Sequence, residues 1–197
     1  FFKQKPAYER GVRLVGSEMC IRDRFNHRSV REILSMIRTL GAMVGAGQRA
    51  DELVGTYENK IDRSLARTAD LPRRPKVYFE EWDDPQISGI RWVSELIEIA
   101  GGDDVFPELA VCPDGKSRII ANPEEVIRRA PDIIIGSWCG KKFRPEKVAA
   151  RQGWDTIPAV QNGDIYEIKS AEILQPGPAA LTDGLDQLQE LINAWTV

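Results

Sequence analysis

The sequence predicts an α/β fold: a Rossmann-like lobe with a parallel central sheet flanked by helices. Three observations predict it. From Lys76 onward, short apolar runs alternate with amphipathic helical stretches, a pattern that builds a parallel sheet covered on both faces. One of those runs, Ile133-Ile134-Ile135, is uninterrupted and β-branched, as in strands buried on both sides. The helix before it leads straight into it through Asn122-Pro-Glu-Glu-Val-Ile-Arg-Arg-Ala-Pro-Asp132. There Asn122 suits an N-cap, Pro123 the first helical position, Glu124 and Glu125 the positive end of the helix dipole, and Pro131 the stop.

The remaining elements follow in order. Ser29 to Gly41 carries Val30, Ile33, Leu34, Ile37 and Leu40 on one helical face, with Ser29 and Glu32 spaced as a capping box. Gly41, Gly45 and Gly47 are expected to interrupt it. Gln48 to Ala69 reads as a second, longer helix with Ala50, Leu53, Val54, Tyr57, Ile61 and Leu65 inward and charge on its other side. It is either a surface helix packed on a domain or a rigid connector between two lobes, and periodicity does not separate these. Lys76 to Trp82 is a strand, Asp83 to Ile90 a loop, and Arg91 to Ala100 a helix closed by Gly101-Gly102. Val105-Phe106 begins a short extended piece. After the central strand, Pro145 to Arg151 is a helix, Gly153 to Pro158 a turn region, and Ile165 to Ile168 a strand introduced by Gln161-Asn-Gly-Asp164. The last helix runs from Ala179 to Trp195.

Residues 1–24 show neither period and resemble adapter-derived strings at the ends of translated metagenomic reads. They are set aside as a non-native segment. The rest divides into a helical segment, 25–72, and an α/β lobe, 73–197. The helical segment has no sheet of its own, so a preceding lobe is expected to be missing.

Composition limits the function. The chain has 197 residues, 42% of them hydrophobic, enough for one or two cored domains. A net charge of −3 provides no basic patch of the kind nucleic acid needs. No apolar run is long enough to span a bilayer. Cys112 and Cys139 could pair or stay free, and two loop cysteines make no disulfide framework.

An enzyme is not indicated. Cys139 follows a strand, where a nucleophile could sit, but the one histidine, His27, lies outside the lobe. There is no phosphate loop and no metal-ligand spacing. Glu80, Glu81, Asp83 and Asp84 form an acidic run that is read as a solvated strand end rather than a cation site.

Aromatic placement is the positive signal. Trp82 follows the first strand, Trp92 starts the next helix and Trp138 follows the central strand. In a parallel sheet these fall at the carboxyl edge, where ligands bind. Flat side chains at a rim suit a large, partly apolar ligand. Asp83, Cys139 and Lys141 stand beside two of them. For Trp92, packing and contact both stay open, whereas Trp154 and Trp195 read as core.

These pieces carry a resemblance. Lys76-Val-Tyr-Phe-Glu-Glu-Trp-Asp-Asp-Pro85, Trp92 to Gly102, Asn122-Pro-Glu-Glu-Val-Ile, Pro131 to Trp138, Gly153-Trp-Asp-x-Ile-Pro-Ala-Val and Gln175-Pro-Gly-Pro together resemble the second lobe of substrate-binding proteins of ABC importers for cobalamin and iron-siderophores, closest to the cobalamin type. The resemblance implies two lobes joined by one long helix, here Gln48 to Ala69. It implies a periplasmic, non-enzymatic protein that needs no cofactor and no metal of its own. Its partners would be a corrinoid or another metal chelate such as a siderophore complex or haem, and the permease subunits, with neither nucleic acid nor a membrane span. Ligand contacts would fall on Trp82, Asp83, Trp92, Trp138, Cys139 and Lys141, with the loop from Glu172 to Gln175. Glu124 would be the surface glutamate that docks on the permease.

Overall fold

A computed structural model describes residues 25–196. Residues 1–24, and the reading of them as non-native, lie outside it. Helix α1 (Val30–Met43) opens with the predicted capping box. Ser29 Oγ accepts from the Glu32 N–H at 3.2 Å, and the Glu32 carboxylate accepts from the N–H groups of Arg28 and Ser29. These bonds hold the Glu32 carboxyl below the ordinary glutamate range, the Arg28 N–H having the largest effect and burial opposing it. Gly41 does not end this helix. A methyl group there would lie 2.3 Å from Ala50 Cβ, so the glycine marks where the next helix crosses α1 at close range.

That helix, α2 (Gly47–Thr68), buries Ala50, Val54, Tyr57, Ser64 and Thr68. Leu53 and Leu65, expected inward, are 40% and 45% exposed, because they sit at the margins of the buried stripe. Thr68 and Ser64 instead take core-facing positions by bonding back to carbonyls one turn earlier.

Strand β1 (Lys76–Asp83) is the hub of the sheet. Where a loop was expected, the chain turns and pairs β2 (Gln86–Ser88) antiparallel to the end of β1. Gln86-Ile-Ser is too short for the alternation rule to register. Helix α3 (Arg91–Ala100) has the predicted bounds, with Gly101 left-handed at φ 97°. The short strand after it, β3 (Asp103–Asp104), begins two residues earlier than predicted and lies parallel to the start of β1. Short helices α4 (Pro107–Ala110) and α5 (Glu124–Arg129) lead to β4 (Ile133–Gly136), which pairs parallel with the other edge of β1. Helix α6 (Pro145–Ala149) follows. A helix not predicted, α7 (Pro158–Asn162), precedes β5 (Ile165–Glu167), which is parallel to β4. Another, α8 (Ser170–Ile173), comes next. A π-helical turn (Ala180–Gly184) then runs into α9 (Leu185–Thr196).

The parallel strands lie in the order β3-β1-β4-β5. The chain builds outward from β1 to one side, then returns to build on the other. The change of direction falls between β1 and β4, the topological switch point at which open α/β sheets leave a crevice beyond the strand ends.

Alternation along β1 divides the core. Val77, Phe79, Ile133 and Ile135 face one way, against Val30, Ile33, Val54, Trp92, Leu96, Ile97, Leu188 and Ile192. Tyr78 and Ile134 face the other, against Phe106, Val126, Trp138, Phe143, Val148, Trp154 and Ile157. Helices α2 and α9 are also tied by polar bonds: Lys60 to Asp186 at 2.7 Å, and Arg67 to Gln189 at 2.7 Å.

Candidate functional site

The carboxyl ends of β1 and β4 carry the aromatic rim, and the acidic run there is not solvated as a unit. Glu80 follows Tyr78 by two, so the strand turns both side chains to the same face. Glu80 is fully buried. Its carboxylate accepts from Tyr78 Oη at 2.9 Å, Trp138 Nε1 at 3.1 Å and both Arg151 Nη atoms at 2.6 and 2.9 Å. Glu81 takes Arg118 in a two-pronged pair, and Asp83 takes Lys141 Nζ at 2.5 Å. The strand end thus recruits three cations from distant segments. A buried carboxylate without such partners would cost several kcal/mol.

The network sets charge states. Burial, with Glu80 beside it, pushes the Tyr78 hydroxyl well above its ordinary value, so it stays a donor. Burial opposes the Arg151 charge, but its bonds to Glu80 outweigh that and raise its pKa.

The rim itself is Trp82, Trp138 and what lies between. Trp138 is 5% exposed, held in plane by Glu80, with the Phe143 ring edge-on at 4.9 Å. Phe143 reaches that place because Gly136 has no side chain: a methyl there would sit 1.8 Å from the ring. Trp82 is half-buried, and its indole N–H donates to the Asp84 carbonyl at 2.9 Å. Lys141 Nζ stands over both indoles, 5.6 Å from the Trp82 ring centroid and 5.1 Å from that of Trp138. Cys139 is exposed in the same loop.

The other predicted contacts separate. Trp92 is 4% exposed in the aliphatic core, and its indole N–H donates to the Ile173 carbonyl at 2.8 Å. Of the two alternatives left open for it, packing is the one its burial favours, although Trp138 is hardly more exposed. The Trp92 indole fastens α8. Glu172 lies on α8, one strand further along the edge, where it accepts from Gln187 Nε2 at 2.8 Å, and Gln175 is exposed just beyond. Glu124 is exposed at the start of α5, and its N–H donates to Asn122 Oδ1 at 3.1 Å. It borders a cleft of about 560 Å³ whose walls include Gln86, Ile127, Arg151 and Trp154.

Sequence reasoning missed Glu80, Arg118 and Arg151. For Glu80 a signal existed, since its place in the alternation with Tyr78 put it inside. The arginines offered none, because Arg118 ends a single short helical turn and Arg151 follows a five-residue helix, and neither position has a period that predicts its partner.

Among the described residues Cys139 and His27 are not brought together. Cys139 stands in the β4 loop, whereas His27, the one histidine of the chain, packs on the Phe25 ring just before α1. Among the described residues no group of three His, Cys, Asp or Glu side chains could hold a metal ion, and no helix is long and apolar enough to cross a membrane.

Known proteins share this architecture. A substrate-binding lipoprotein of an ABC transporter, the uncharacterized YvrC of Bacillus subtilis (strain 168), is 22% identical over 170 residues, or 84% of this chain and 51% of that protein. S. aureus IsdE complexed with haem superposes with a TM-score of 0.70 at 19% identity, over 90% of this chain and 73% of that one. The periplasmic vitamin B12 binding protein BtuF of Vibrio cholerae does so with a TM-score of 0.62 at 19% identity, over 85% and 63%. The chain spans about half the length of the curated relative it matches. At these identities the two superpositions speak for the fold. The family profile described as "Periplasmic binding protein" matches residues 23–172, most of the chain, and this protein belongs to that family.

Proposed function

We propose that this chain is part of the substrate-binding component of an ABC importer, and that its ligand is a corrinoid. It is a binding protein, not an enzyme, and it acts outside the cytoplasmic membrane, in the periplasm. The observation that carries the reading is the pair of indoles, Trp82 and Trp138, at the β1/β4 switch point of a chain in this family. Flat, rigid rings bury much area on a large ligand at little entropic cost. No imidazole stands beside them to take up an axial position on a metal, which suits a ligand whose cobalt is already coordinated. Likeness to a vitamin B12 binder supports the same choice. Glu124, exposed beside the 560 Å³ cleft, is assigned to docking on the permease.

A second ligand class has its own support. Lys142 and Arg144 are exposed in the rim loop and make no ion pair among the described residues. They would favour an anionic chelate, a ferric siderophore or haem, and IsdE is a relative solved with haem.

Titration with cyanocobalamin, followed by tryptophan fluorescence and corrected with free tryptophan, tests the choice. Saturable quenching that weakens in Trp82→Ala supports the corrinoid. Saturation by haem or a ferric siderophore, with no response to cyanocobalamin, overturns it.

A further inference from the structure

We infer that Trp82, Trp138 and Asp83 form a receptor for an organic ammonium group, and that the chain fills this receptor with its own Lys141. The parts of such a receptor are two aromatic faces and one carboxylate around a single positive centre. All are present. The Lys141 ammonium lies 5.1 and 5.6 Å from the two indole centroids and 2.5 Å from Asp83 Oδ2. An ammonium within about 6 Å of an indole centroid is attracted by the ring quadrupole.

The walls are built before any guest arrives. Glu80 accepts from the Trp138 indole N–H at 3.1 Å, and the Asp84 carbonyl accepts from that of Trp82 at 2.9 Å, so neither ring is free to turn. Both indole N–H groups are consumed at the ring edges, which leaves the faces for the guest. The second carboxylate oxygen, Asp83 Oδ1, is buried and has no hydrogen-bond partner. Buried acceptors are seldom left unused, so this oxygen leaves the carboxylate with acceptor capacity and negative charge that Lys141 alone does not satisfy.

The occupant, by contrast, is held loosely. Lys141 is an exposed residue on a flexible stem, its side chain 44% accessible, one residue after Gly140 at φ 71°. A guest bearing a primary or quaternary ammonium can take its place over the rings while Lys141 swings into water, where its charge is well solvated. The subsite uses the same two indoles that the proposed rim offers to its large ligand, but its inference needs only their geometry around Lys141 and not that ligand's identity.

The test frees the receptor. Lys141→Met keeps the length of the stem and removes the charge. Wild type and variant are titrated with choline and with its uncharged carbon analogue, following the indole N–H resonances of Trp82 and Trp138, with thermal melts as a check on folding. The variant is expected to bind choline about tenfold more tightly than wild type does, and about tenfold more tightly than it binds the analogue. Adding Asp83→Asn or Trp82→Ala should remove most of that gain. Equal choline affinity in wild type and variant overturns the inference. So does equal affinity for choline and its analogue, which would reduce the pair of indoles to an apolar patch. Neither outcome touches the cyanocobalamin titration, which uses the wild-type protein.

Discussion

The two sides of the sheet are built by opposite means. On one side Val77, Phe79, Ile133 and Ile135 meet helices of 14, 22, 10 and 12 residues, and the layer is mainly aliphatic. On the other, Tyr78 and Ile134 meet helices of only 4 to 6 residues, too short to be stable alone. Aromatic rings and a buried ion pair fill the spaces between them. The first side needs only apolar periodicity. The second needs specific partners, because each short helix must be pinned by contacts outside itself. The ligand rim lies at the end of the pinned side.

The largest expected effect is on the pin itself. Glu80→Ala should cost about 3–5 kcal/mol, because it leaves the Arg151 guanidinium part-buried and unpaired. Urea denaturation measures it. Glu80→Leu combined with Arg151→Leu should cost much less than either single change. A double variant as damaged as the singles would mean that the pair matters for shape rather than charge. On the aliphatic side, Leu96→Ala should cost about 2–5 kcal/mol, and the cyanocobalamin response should be scaled only by the fraction folded. A selective loss of binding in that variant would break the division between the faces.

Gly136→Ala comes next. The new methyl must push the Phe143 ring away, at about 1–3 kcal/mol, and Trp138 moves with it. Near-ultraviolet circular dichroism should register this even where the fold survives. Ser29→Ala, far from the rim, should cost about 1 kcal/mol. Its partner Glu32 adds a pH signature. The folded-state pKa of Glu32 is lowered, so its contribution is present above the unfolded value and is lost as pH falls through the folded one. Glu32→Gln should flatten that acid limb. The smallest effect is Lys141→Met on stability, within about 1 kcal/mol, since the lysine end of its ion pair is 44% accessible.

This contrast also explains what could be read from sequence. Helices α1, α2 and α3 were legible to within a few residues because fixed-period apolar stripes and caps determine them. The helices α7 and α8 and strand β2 were not, since 3 to 5 residues carry no period. Trp82 and Trp138 could be placed because they stand at or just beyond the carboxyl ends of strands β1 and β4. Trp92 could not, because the second residue of a helix can point to the rim or beneath it, and only the bond to Ile173 decides. The acidic run was read as one object, but three of its four members, Glu80, Glu81 and Asp83, each have a separate cation brought from elsewhere in the chain.

The bonds between α2 and α9 have a temporal consequence. Arg67 and Gln189 are 122 residues apart in sequence, and Ser64 and Gln189 are 125 apart. Contacts this distant form slowly, because a long loop must close before they reward it. Until α9 docks, Lys60, Ser64 and Arg67 of α2 lack these partners. The folding chain should therefore be most open to aggregation and protease attack in that interval, and the aliphatic layer should close last.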